Sequence, residues 1–131
     1  MKVLLVGGGG REHALGWKIA QSAVLSKLYL APGNPGLKPL GETLPIGAEE
    51  IDRLVEAAVS LAIDLVVVGP EAPLAAGLAD RLAEKGVPVF GPSKAAARLE
   101  SSKSFMKEVC VAAGASTAAY GRFRETGPAK E

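Results

Sequence analysis

Four short apolar runs, each stopped by glycine or proline, constrain this chain more than any other feature. Val3-Leu4-Leu5-Val6 ends at Gly7, and Leu28-Tyr29-Leu30 runs into Ala31-Pro32-Gly33-Asn34-Pro35-Gly36. Leu65-Val66-Val67-Val68 ends at Gly69-Pro70, and the run at 87–90 ends at Gly91-Pro92. Runs this short and this continuously apolar read as strands buried on both faces. Helical spacing fills the intervals. Leu15 and Ile19 lie four apart within 11–21, and Ile51, Leu54, Val55 and Ala58 mark one face of 49–61. Leu74, Leu78 and Leu82 mark one face of 74–85, with Gly86 as the stop. Ser93 suits the N-cap of a helix through Leu99, and 102–113 reads as a last helix burying Phe105, Met106, Val109 and Cys110. Residues 42–46 read as a short edge strand and 117–123 as a final one. Strands alternating with helices imply an α/β fold: a parallel sheet, helices on both faces and right-handed crossovers, in the Rossmann manner.

Composition excludes several functions. With 48% apolar residues the 131-residue chain can bury a core, and its length makes one domain the default. Fifteen basic residues against 14 acidic ones, with no basic cluster, argue against nucleic acid and an anionic membrane surface as partners. No apolar run approaches the roughly 18 residues of a membrane span. The N-terminal run meets glycine too early for a secretory leader, so a cytoplasmic protein is expected. One cysteine and one histidine leave no internal disulfide and no multi-histidine metal site.

In an open parallel sheet, ligands bind beyond the carboxyl ends of the strands, and here the glycine- and proline-rich loops fall at those ends. Gly7-Gly8-Gly9-Gly10 follows a strand and opens a helix, so its bare amides and the helix N-terminus suit an anion. Arg11 adds a bidentate phosphate contact; the plainer reading is a tight turn with Arg11 in solvent. The dinucleotide fingerprint fails. Counting from Gly7 and Gly9 its third glycine is Glu12, and counting from Gly8 and Gly10 it is His13. No acidic residue lies between Gln21 and Gly41 to hold a ribose, and no Walker-type Gly-Lys-Ser/Thr occurs. Glu71, between Pro70 and Ala72-Pro73, is set to accept hydrogen bonds from a sugar diol, or else caps the next helix. Asn34 reads first as a turn former, His13 as structural, Cys110 as a small buried hydrophobe, and Lys103 and Lys107 as a solvated face.

Taken in order, Gly9-Gly10-Arg11-Glu12-His13-Ala14-Leu15, Ala31-Pro32-Gly33-Asn34, Val68-Gly69-Pro70-Glu71-Ala72-Pro73-Leu74, Phe90-Gly91-Pro92 and Ser102-Lys103-Ser104-Phe105-Met106-Lys107 form a specific set. Together they resemble the N-terminal part of the glycinamide ribonucleotide synthetases (phosphoribosylamine–glycine ligases) of the ATP-grasp superfamily. The resemblance runs from Met1 to about Phe123. It implies an enzyme of purine biosynthesis that joins glycine to phosphoribosylamine with ATP and Mg²⁺, through glycyl phosphate. It implies a pre-ATP-grasp, substrate-binding domain over 1–100 and the start of the ATP-grasp region over 101–131. By the same resemblance Gly9, Gly10 and Arg11 lie by the substrate phosphate, and Pro32, Gly33 and Asn34 line the same cleft. Glu71 then holds the ribose hydroxyls, and Lys103 reaches nucleotide phosphates.

A ligase of this kind needs an ATP-grasp unit and a C-terminal domain, about three times the present length. The segment that covers ATP and the carboxylates for Mg²⁺ are expected outside this chain. No catalytic or metal-holding residue is assigned within it, no ATP or Mg²⁺ is expected to bind it tightly, and no ligase activity is expected of it alone. The expected ligands are phosphoribosylamine and glycinamide ribonucleotide; the expected partners are the missing domains. A stand-alone sugar-phosphate or nucleotide-binding module is the alternative. Half of a nicotinamide-dependent oxidoreductase is a weaker one, disfavoured by the failed fingerprint.

Overall fold

The computed structural model describes residues 1–123 and 125. Five parallel strands form one sheet: β1 (Lys2–Gly7), β2 (Lys27–Pro32), β3 (Glu42–Thr43), β4 (Leu65–Val68) and β5 (Val89–Phe90), in spatial order β3-β2-β1-β4-β5. The register pairs Leu4 of β1 with Tyr29 of β2 on one side and with Val66 of β4 on the other. The helices are α1 (Gly10–Ile19), α2 (Ile51–Ser60), α3 (Glu71–Ala76), α4 (Leu78–Glu84), α5 (Lys94–Ser101) and α6 (Lys103–Ala112), with a 3-10 turn at Pro35–Leu37.

The direction of travel across the sheet decides which face each helix covers. The chain moves from β1 to β2 to β3 one way, then crosses back to β4 and on to β5 the other way. With right-handed crossovers, the two directions put their helices on opposite faces. The packing follows this rule. Val3 and Leu5 of β1 point with Leu28, Leu30 and Val67 into a layer closed by Leu37 and, from α1, Leu15 and Ile19. Leu4 and Val6 point the other way, with Tyr29, Val66 and Val68, against Leu54 and Val55 of α2, Leu74 of α3 and Leu78 and Leu82 of α4. Alternation along each strand feeds both layers, which is why the inner positions of β1, β2 and β4 are apolar without a break.

Several expectations are corrected in detail. The helix expected over 74–85 is two helices broken at Gly77, whose φ of 99° is left-handed. The first begins at Glu71, earlier than spacing suggested, because Pro73 in a first turn needs no amide partner. The edge strand at 42–46 shortens to two residues. The strand expected at 117–123 does not form: these residues carry no regular structure.

The chain divides into two compact units, 1–97 and 98–131. In the second, Ser102 caps α6 by accepting the Phe105 amide at 3.3 Å, and the Arg98 guanidinium lies 3.9 Å from the Phe105 ring centre. No residue of α6 is fully buried, against the expectation for Phe105, Met106, Val109 and Cys110. Val111 is 63% exposed. Lys107 is not a free surface cation. Its Nζ donates to Thr117 Oγ1 at 2.6 Å and to the Ala118 carbonyl at 3.0 Å, holding as irregular chain the segment expected to be a strand. Among the described residues no helix is long and apolar enough to cross a membrane.

Candidate functional site

The loops that follow β1, β2 and β4 leave the same edge of the sheet, because the strands are parallel. Between β1 and β4 the chain's direction across the sheet reverses. The loop after β1 turns toward α1 on one face and the loop after β4 toward α3 on the other, which opens a crevice between them.

The loops after β1 and β2 are tied backbone to backbone. The Gly33 amide donates to the Gly7 carbonyl at 3.2 Å. The Asn34 Nδ2 donates to the Gly8 carbonyl at 3.1 Å and lies 3.4 Å from that of Gly9, while its Oδ1 accepts the Leu37 amide at 3.1 Å. Asn34 is thus the turn former that composition suggested and also a brace between the two loops. Gly8 is bare for a reason of space: a Cβ there would sit 2.5 Å from the Gly33 carbonyl oxygen. His13, half-buried in the first turn of α1, packs over Gly36, where any side chain would fall on its ring. That is the structural role expected of it.

The residue that sequence reasoning passed over is Glu12. It is buried, and its Oε2 accepts the Gly9 amide at 2.6 Å. Its other oxygen, Oε1, has no hydrogen-bond partner and lies 3.6 Å from the Arg11 Nε. The carboxylate fills space left by glycines of two loops. A Cβ at Gly7 would sit 2.7 Å from its Cγ, and one at Gly69 would fall on the carboxylate itself. A signal for it was present: Gly9 is the N-cap of α1 and Glu12 the third helical residue, the spacing at which a glutamate returns to the N-cap amide. Close approach of helix to sheet, the task of the fingerprint's third glycine, falls instead to buried Gly16. A Cβ there would sit 2.5 Å from a Leu37 methyl and 3.1 Å from a Leu5 methyl.

The Gly10, Arg11 and Glu12 amides at the start of α1 make no hydrogen bond to the described residues, so they are open donors. Arg11 is exposed beside them. Pro32 is exposed and Gly33 half-buried in the neighbouring loop. Glu71 is exposed as the first residue of α3, on the loop that leaves β4. Loops and helix start therefore bring Gly9, Gly10, Arg11, Pro32, Gly33 and Asn34 together, with Glu71 on the same edge. Lys103 belongs to the second unit, as the exposed first residue of α6. An apolar hollow of about 150 Å³ lies at the opposite edge, among Met1, Val3, Ile19, Val24 and Leu65; no charged side chain lines it.

Residues 1–100 match the family model described as phosphoribosylglycinamide synthetase, N domain. The chain belongs to that family. It is 55% identical to the phosphoribosylamine–glycine ligase of Brucella melitensis over 99% of its length, and 53% identical to that of Agrobacterium fabrum over 100%. It spans 30% and 31% of those two proteins. The crystal structure of phosphoribosylamine–glycine ligase from Thermotoga maritima superposes on 91% of the chain with a TM-score of 0.65 at 31% identity, and 26% of that structure is covered. The biotin carboxylase domain of a thermophilic 2-oxoglutarate carboxylase shares the fold, with a TM-score of 0.70 at 21% identity over 98% of the chain and 32% of its own.

Proposed function

We propose that this chain is the N-terminal part of a phosphoribosylamine–glycine ligase and holds the ribose phosphate of that enzyme's substrate. The reaction joins glycine to 5-phosphoribosylamine using ATP, through glycyl phosphate, and gives glycinamide ribonucleotide, ADP and phosphate in purine biosynthesis. The match of residues 1–100 to the family's N domain carries this reading, and the convergence of the loops at one edge supports it.

In this reading Gly9 shapes the turn, and Gly10 and Arg11 take the phosphate through their amides and the Arg11 guanidinium. Pro32, Gly33 and Asn34 form the neighbouring wall. Glu71 accepts from the ribose hydroxyls, and Lys103 serves the nucleotide phosphates. In this reading the main ligands of ATP and Mg²⁺ lie outside this chain. Among the described residues no group of three or more His, Cys, Asp or Glu is placed to hold a metal, and Lys103 is a single cation. No step is routed through them, and this chain's part is to bind and orient.

Thermal unfolding with ligands tests the reading. A ligand at a hundredfold excess over its Kd adds about 2.7 kcal/mol of stability. Glycinamide ribonucleotide is expected to raise the melting temperature, ribose 5-phosphate to raise it less, and ATP and NAD to leave it unchanged. A larger rise with either nucleotide would favour a nucleotide-binding module instead. No rise with glycinamide ribonucleotide would count against the reading.

A further inference from the structure

We propose that Glu12 is the positioning residue of the phosphate turn, its buried carboxylate tying the Gly9 amide and the Arg11 guanidinium to the crevice between β1 and β4. This rests on the ribose-phosphate reading above and deepens it. Glu12 is the one buried charged residue among those described. Its side chain is 6% exposed and that of Arg11 61%. Burying a carboxylate is costly unless hydrogen bonds satisfy it, and only one of its two oxygens has such a bond.

The placement accounts for the cost. Through Oε2, Glu12 holds the Gly9 amide inward, which fixes the turn and leaves the next three amides as the open donors. Through Oε1 it opposes the Arg11 Nε at 3.6 Å, so the guanidinium is held by its inner nitrogen while its terminal pair remains for a phosphate. The same carboxylate fills the space at Gly69, so the loop leading to Glu71 is seated against it. One side chain thus sets the phosphate end of the site against the ribose end. A simple helix cap would do only the first of these three things.

The test combines calorimetric titration with glycinamide ribonucleotide and amide NMR spectra, on the 131-residue chain. Glu12→Ala removes both oxygens. Glu12→Gln keeps an acceptor for Gly9 but not the charge opposite Arg11. Gly69→Ala displaces the carboxylate from the β4 side while leaving Glu12 intact, and serves if Glu12→Ala does not fold. Glu12→Ala and Gly69→Ala are expected to weaken binding about tenfold or more, the size of a lost charge-assisted hydrogen bond. Both should move the Gly9 amide resonance. Glu12→Gln is expected to keep that resonance and to recover only the part of the affinity that does not run through Arg11. Arg11→Ala should cost less in the Glu12→Ala background than in the native chain. Native-like affinity in folded Glu12→Ala, or full additivity with Arg11→Ala, would overturn the proposal. If the native chain binds no glycinamide ribonucleotide, the substrate reading fails. The Gly9 resonance, and its response to inorganic phosphate, then decides Glu12 by itself: a response that is the same in Glu12→Ala overturns the proposal, and one lost there and kept in Glu12→Gln supports it.

Discussion

Two glycines two residues apart in the same turn make opposite demands. At Gly8 a Cβ would meet the Gly33 carbonyl oxygen at 2.5 Å, backbone that is itself tied to Gly7. Gly8→Ala is therefore expected to cost about 1–3 kcal/mol and to spread the two loops. At Gly10 a Cβ meets nothing within 4 Å, at the start of a helix. Gly10→Ala is expected to be neutral or to stabilise by up to about 1 kcal/mol, since it restricts the unfolded chain. Urea unfolding of both variants reads the difference, and equal effects would contradict this account of the turn. At the start of α2, Glu50 accepts the Gly47 amide and the Arg53 guanidinium, each at 2.6 Å. The Gly47 bond first, then Arg53, lowers its pKa from the ordinary 4.5. A carboxyl with a depressed folded pKa contributes stability above its unfolded value and loses it as pH falls through the folded one. Acid unfolding of Glu50→Gln should accordingly show a shallower loss of stability below pH 4.5 than the native chain. Identical slopes would show that folding does not lower the Glu50 pKa.

At the level of elements, the strands were the most legible because their apolar runs feed two cores at once. The runs of β1, β2, β4 and β5 were each found within one or two residues, while the edge strand expected at 42–46 pairs with β2 only at Glu42 and Thr43. Helix periodicity was legible too, but periodicity cannot see a left-handed residue. Leu74, Leu78 and Leu82 keep their spacing across Gly77, so α3 and α4 looked continuous. Gly77→Ala tests that break. An L-residue at φ 99° costs about 1–2 kcal/mol, so the midpoint of thermal unfolding should fall by several degrees. An unchanged midpoint would mean that the two helices fuse without penalty. Glu12 was hidden for a different reason: a glutamate at the start of a helix reads as a surface charge unless its glycine neighbours are taken together. Residues 117–123 looked like a strand from their composition, yet Lys107 satisfies backbone and hydroxyl groups there that a neighbouring strand would otherwise take.

At the scale of the whole molecule, the sheet order is what turns scattered loops into a site. Reversal between β1 and β4 splits the helices between two faces and leaves a crevice at one edge, where Arg11 and Glu71 stand in the first turns of the helices that follow those strands. Family membership follows from residues 1–100, and the roles of single residues rest on that crevice. The measurement that tests them most directly is calorimetric titration of the chain with glycinamide ribonucleotide, beside Arg11→Ala and Glu71→Ala. The account predicts saturable binding by the native chain and a loss of about tenfold or more in each variant, one from the phosphate end and one from the ribose end. Binding that survives both substitutions, or none by the folded native chain, would contradict it.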